Sequence, residues 1–156
     1  MSLKSPKTAR LGHWKNPSRL KLDPEESFGF VYLIVNMLTG RRYIGKKQYH
    51  RYSKGHRQST SDWKTYTSSS RSVNADIIQL GKKNFHFEIL TEFQTRNGLT
   101  YGETNLQHVA DVLTVPHHDG TRLFYNAFID KIRFIPTEFL VGDNKIRVIE
   151  RVQNFK

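Results

Sequence analysis

The chain has 156 residues and no cysteine, which suits one domain with a core large enough to fold unaided and leaves neither a disulfide framework nor a thiolate zinc site. Its formal charge is +11, from 25 Lys and Arg against 14 Asp and Glu, a self-repulsion that a polyanionic partner would neutralise. No apolar run approaches the roughly 18 residues of a membrane span, and the first 22 residues lack the apolar core of a signal peptide, so a soluble, cytoplasmic protein with no membrane partner is expected.

Residues 1–27 read as a basic, flexible arm broken by Pro6, Pro17 and Pro24, with only Leu11, Trp14, Leu20 and Leu22 to bury. Lys4, Lys7, Arg10, Lys15, Arg19 and Lys21 all precede the first acid, Asp23. Such an arm either tracks phosphates or is a disordered leader.

Next come two apolar, β-branched and aromatic runs, Phe30 to Val35 and Arg42 to Ile44, around a connection from Asn36 to Gly40. That is the composition of a β-hairpin. With Tyr32 directly opposite Tyr43, both phenols project from one face at one height, followed at once by Gly45, Lys46 and Lys47. From Ser27 to Ser61 there are seven basic residues, Arg41, Arg42, Lys46, Lys47, Arg51, Lys54 and Arg57, and no acid. Solvated faces usually mix signs, so an unbroken basic run favours nucleic acid as the partner.

Gln48 to Thr67 lacks clear periodicity and reads as a long loop with room for one short helix. Tyr49, Tyr52, Trp63 and Tyr66 interleave there with Arg51, Lys54, Arg57 and Lys64, a mixture able to stack on bases and pair with phosphates. Trp63 fits better as a core anchor of the loop. Ser68 to Ser70 then offer N-cap oxygens, Val73, Ile77 and Leu80 recur at helical spacing, and Gly81 follows, predicting a helix over about 70–80. Phe85, Phe87 and Ile89 alternate with polar residues, predicting a third strand over 85–90.

Leu99 to Leu113 predicts a second helix whose inward stripe is Leu99, Leu106, Ala110 and Leu113. Glu103 falls on that stripe. A carboxylate there is bound to a cation, protonated, or at the rim in a salt bridge, because burying it bare is prohibitive. His117, His118 and Asp119 are consecutive and so do not converge on one ion. In the tail, Phe139, Val141, Ile146, Val148 and Val152 around Gly142-Asp143-Asn144 read as an appended hairpin, packed on the core or binding a partner.

Phe30-Val31-Tyr32, followed eleven residues on by Tyr43-Ile44-Gly45, resembles the paired signature of the GIY-YIG nucleases, metal-dependent endonucleases whose two tyrosines come from such a hairpin. The second triplet is intact and the first keeps its tyrosine. Asn74 to Leu90, with its Leu-Gly-Lys-Lys-Asn-Phe link, is similar to the helix-to-third-strand segment of phage-encoded members. The resemblance spans Gly29 to Asn126. It implies an α/β (α+β) fold, a small three-stranded antiparallel sheet flanked by helices, with the nuclease domain over 28–130 and the C-terminal extension over 131–156 packed on it. It also implies a phage or homing-endonuclease-like protein of the host cytoplasm.

Phosphodiester hydrolysis needs a deprotonated water, neutralised charge on phosphorus and help for the leaving oxygen. By the resemblance, Glu103 would hold Mg²⁺, with Mn²⁺ a substitute, since one carboxylate suffices for an ion that takes its other ligands from water and phosphate. Tyr32 is the candidate for activating water, with Tyr43 positioning it and Lys46 and Lys47 favouring phenolate. The family's transition-state arginine falls at Arg51, Arg57 or Arg71, with Arg57 preferred, and Asn126 would help hold the site. Lys47, Arg51, Lys54, Arg71 and Arg42 would contact double-stranded DNA. The alternative is a catalytically silent GIY-YIG-like module that only binds nucleic acid.

Overall fold

The structure, a computed structural model, describes residues 10–155. Its centre is strand β1, Gly29–Asn36, all of whose residues are buried. Phe30, Tyr32 and Ile34 enter one apolar cluster while Val31, Leu33 and Val35 enter the other, so an unbroken apolar run is what a strand covered on both faces requires. Strand β2, Arg42–Gln48, and β5, Phe85–Phe93, flank it antiparallel, in the order β2-β1-β5.

The β1–β2 turn is closed by Asn36, whose Oδ1 accepts from the Leu38 and Thr39 amides, and by Gly40 at φ +81°. This closure places Tyr32 opposite Gly45 and Ile34 opposite Tyr43, not Tyr32 opposite Tyr43 as anticipated. A two-residue offset keeps both rings on one face, and it puts a glycine across from the first tyrosine.

Between β2 and the first helix lies a feature unlike the loop expected there. His50–Ser53 (β3) and His56–Thr60 (β4) form a separate two-stranded ribbon. Lys54 and Gly55 turn it, both at positive φ, 51° and 79°, as a two-residue hairpin of this twist requires. The signal was Lys54-Gly55 itself, masked because no apolar alternation flanks it.

Helix α1, Arg71–Leu80, starts at Ser70, whose hydroxyl accepts from the Val73 amide, and stops at Gly81 at φ +93°. Helix α2, Arg96–Val109, is capped by Thr95, and Glu138 adds its carboxylate to the Gln94 and Thr95 amides at 2.8 and 3.0 Å. It packs Leu99 and Leu106 onto the face of Val31 and Leu33.

The tail is not the expected hairpin. Gly142–Gln153 is helix α3, because Val148 and Val152, one turn apart, make a buried stripe that the period-two reading overlooked. Arg151 forks onto the fully buried Glu88 of β5 at 2.6 and 2.8 Å. Burial alone would push the Glu88 carboxyl up, yet Arg151 and His86 hold it below the usual range.

Both free edges of the sheet are covered. Lys15 bonds to β5 through Phe87 O and Ile89 N, at 2.7 and 3.0 Å. Beside it Trp14 is 3% exposed, its indole donating to the Trp63 carbonyl. Residues 10–22, read as part of a loose arm, therefore pack on the sheet. Lys4 and Lys7 lie outside the described residues. Along β2, Arg42 N donates to Leu123 O and Tyr125 N to Arg42 O, at 2.9 and 2.7 Å, which closes the other edge.

Candidate active site

The tyrosine pair is built by the offset of the first hairpin. Tyr32 and Tyr43 have ring centroids 6.1 Å apart, and Tyr66 closes on Tyr32 at 6.3 Å from beyond the ribbon. A Cβ on Gly45 would collide with Cζ and Oη of Tyr32 and stand 2.8 Å from Cε1 of Tyr43. Only glycine leaves room for the phenol there, which is a physical reason for the third residue of the second triplet.

Tyr32 is 1% exposed, whereas Tyr43 is half-buried. Burial pushes the Tyr32 phenol well above its ordinary value, with Tyr43, Tyr66 and Glu103 adding to the rise against a hydrogen bond with Ser68. This corrects the expectation of a Tyr32 phenolate favoured by neighbouring lysines. Both lysines are engaged elsewhere. Lys47 meets Asp62 at 2.7 Å and lies 3.9 Å over the Tyr66 ring; Lys46 meets Thr100 at 3.1 Å and Glu103 at 3.9 Å.

Glu103 lies inward on α2 and is 9% exposed. Burial pushes its carboxyl up to about 7, with Asp130 reinforcing the rise and Lys46 opposing it. One lysine at that distance does not neutralise a buried carboxylate, so the group is available to a cation. Alternation puts Lys46 on the opposite face from Tyr43 and Gly45. The tyrosines and Glu103 therefore approach the second triplet from its two sides, close enough for Glu103 to perturb Tyr32.

Between them the Ile44 peptide is clamped. Asn126 accepts from Ile44 N at 3.1 Å and donates to Ile44 O at 2.9 Å, while Gln107 donates to the same carbonyl at 3.1 Å. Asn126 is itself held through Arg122, which donates to its carbonyl at 2.6 Å. Sequence reasoning missed Gln107, although a polar residue one turn beyond Glu103 on the inward face was the available signal. Tyr66, expected to stack on bases, and Ser68, expected as an N-cap oxygen, instead join Tyr32, a placement hidden from the sequence because the chain reaches them only by returning from the ribbon.

The cations divide sharply. Arg42 is no free surface group: it donates to Val152 O and, at 3.1 Å, to Gln153 O, capping the C-terminus of α3. Arg57 donates to the Glu25 carbonyl and pairs with its carboxylate at 3.9 Å, away from the tyrosines. Arg51 and Lys54 are exposed on the ribbon. Arg71 is the exposed first residue of α1, three positions beyond Ser68, and has no ion-pair partner among the described residues. Among those residues no three His, Asp or Glu side chains gather as a metal cluster; His117 instead contacts Thr39 O and Asp119 bonds Thr121.

A family model described as "Putative endonuclease segE, GIY-YIG domain" matches residues 14–129. The chain belongs to the GIY-YIG nuclease family. No curated protein and no solved structure matches it. The family segment begins at Trp14, on the sheet edge once read as arm, takes in both tyrosines, Glu103 and Asn126, and stops before α3. As a GIY-YIG nuclease the chain acts on nucleic acid. Among the described residues no helix is long and apolar enough to cross a membrane.

Proposed function

We propose that this chain is a metal-dependent endonuclease that hydrolyses double-stranded DNA, with Tyr43 activating water and Glu103 holding Mg²⁺, for which Mn²⁺ substitutes. The observation that carries this reading is Glu103, buried on α2 yet met among the described residues by the Lys46 cation alone, three residues beyond Tyr43. A hard oxygen donor of this kind suits an ion that keeps several waters and takes its remaining ligands from phosphate. When bound, the ion neutralises charge on the phosphate oxygens.

Tyr43 is assigned the base role in place of Tyr32 because it is the member of the pair that water reaches. Tyr32, neutral and enclosed, orients Tyr43 across Gly45. Asn126 and Gln107 hold the intervening Ile44 peptide and thereby the spacing between phenol and carboxylate. Arg71 takes the transition-state arginine role from Arg57, because Ser68, which bonds Tyr32, leads directly into its helix whereas Arg57 is tied to Glu25. Lys47 and the ribbon cations Arg51 and Lys54 contact the DNA.

A plasmid-cleavage assay with and without Mg²⁺, run beside Glu103→Gln, tests the proposal. Metal-dependent nicking that the variant lacks is the expected result. DNA binding without cleavage under any metal would leave the silent binding module instead.

A further inference from the structure

The ribbon β3–β4 poses a physical question that the site does not answer. Every residue of β4 is exposed, and among the described residues the ribbon forms no sheet with other strands, although an isolated two-stranded ribbon is marginal in water. Its inner face explains how it stays folded. Tyr52 stacks near Phe28 at 5.1 Å with Arg96 above both rings, and Arg57, paired with Tyr52 across the ribbon, is tied to Glu25.

The outer face has no such partner among the described residues. Alternation places Arg51, Ser53 and His56 there, and the register shift between His50 and Tyr52 sets Gln58 and Ser59 together against Arg51. Apolar side chains are absent from that face, and so are acids. Arg and Gln are the side chains that read guanine and adenine edges bidentately, and Ser reads either.

We infer that the outer face of this ribbon lies in the major groove of duplex DNA, with Arg51 and Gln58 at base edges and Lys54 at the flanking phosphates. The inference rests on the endonuclease reading and adds a groove and a mode to it. Chemistry and width together favour this groove: B-DNA's major groove, about 12 Å wide, admits a two-stranded ribbon and presents the guanine and adenine edges that Arg and Gln read bidentately, while the minor groove, about 6 Å wide in an unbent duplex, shows only a degenerate pattern and takes a ribbon only when bending widens it. The deep, narrow major groove of an RNA duplex does not admit it either, so the ribbon favours DNA.

The test uses the full chain carrying Glu103→Gln, a mixed-sequence DNA duplex, and the same duplex with bulky C5 substituents on cytosine, which fill the major groove and leave phosphates and minor groove intact. The expected result is binding of the plain duplex and a Kd weakened about 5- to 100-fold on the substituted one. In R51A/Q58A, whose altered side chains are exposed, that ratio should collapse towards one with an unchanged melting curve. Equal Kd on both duplexes, or competition by a minor-groove ligand, would overturn the groove assignment and leave the endonuclease reading standing. Failure to bind the plain duplex, joined by failure of the native chain to cleave it, would overturn both.

Discussion

Two hairpins follow one another in this chain and are built on opposite principles. In the first, every residue of β1 is buried, the turn is closed by Asn36, and the β2 edge is gripped by Leu123, Asn126 and Gln107. In the second, every residue of β4 is exposed, and the ribbon is held on its inner face by Tyr52 and Arg57. The difference separates two tasks. Chemistry needs atoms held within fractions of an ångström by packed neighbours, whereas contact with a long polyanion needs projecting charge that costs the fold little. Substitutions in the first hairpin should therefore change rate or stability, and those in the second should change binding and its salt dependence.

The largest expected effect is Glu103→Gln, which keeps shape but removes the negative charge. Cleavage should fall to background while DNA binding persists, measured by nicking and by gel shift on the same preparation. Next is the tyrosine pair. Tyr43→Phe should lower the single-turnover rate by a factor on the order of 10² to 10⁴, the usual worth of a proton acceptor. Tyr32→Phe should cost less rate, and about 1 kcal/mol of stability through loss of the hydrogen bond to Ser68, whose hydroxyl keeps the Ser70 amide. The reverse order would return the base role to Tyr32 and show that burial here does not exclude water.

That reassignment marks where the sequence ceased to be legible. The triplets, the amphipathic α2 and the inward position of Glu103 follow from local spacing, and the three-stranded sheet follows from three apolar runs. Exposure of one phenol against another does not, because it depends on a two-residue offset set by the Asn36 turn and on Tyr66 arriving from a distant segment. The lysines failed as phenolate stabilisers for the same reason: Asp62 and Glu103 claim them through contacts that adjacency in sequence cannot reveal. Gln107 and the C-terminal helix were within reach, since each rests on a four-residue spacing present in the sequence. The ribbon was not, for a hairpin without an apolar face carries no periodic signal beyond Lys54-Gly55.

Glu103 also makes stability depend on pH. Folding raises its pKa from the ordinary 4.5 to about 7, so the native state binds the proton more tightly than the unfolded chain. That contribution is complete below about 4.5 and is lost as pH rises through 7, amounting to about 3 kcal/mol. His13, whose imidazole burial pushes down to about 4, contributes the opposite trend between about 4 and 6.5, so the Glu103 share is read as the difference between the native chain and Glu103→Gln. In metal-free protein the urea midpoint of the native chain relative to the variant should fall as pH rises from about 4.5 to 7, and Mg²⁺ should reverse that fall in the native chain only. A difference that stays flat with pH would show that Lys46 already neutralises the carboxylate.

Gly45→Ala probes the first hairpin by crowding rather than by charge. Its Cβ must displace the Tyr32 phenol and the Tyr43 ring, an overpacking typically worth about 1–3 kcal/mol. Denaturation should show that loss together with a lower rate at saturating DNA, because both phenols move. Stability lost with the rate intact would mean that the pair is packing only.

The smallest effect on the fold, and the one that completes the contrast, belongs to the ribbon. Arg51 and Lys54 are exposed, and the inner face that anchors β3–β4 includes neither. Replacing both by alanine should therefore shift stability by no more than about 0.5 kcal/mol. Each cation that neutralises a phosphate releases condensed counterions, contributing about 0.9 to the slope of log K against log[salt]. Lys54 is the phosphate contact of the pair, so the double variant should bind DNA with a slope shallower by about one, measured as Kd over a salt series. Glu103→Gln, made beside it, should bind with the native slope. A native slope in the ribbon variant would place the DNA elsewhere on the basic surface and would dissolve the division of labour between the two hairpins, because Lys47 and Arg71 would then hold the phosphates from within the catalytic frame itself.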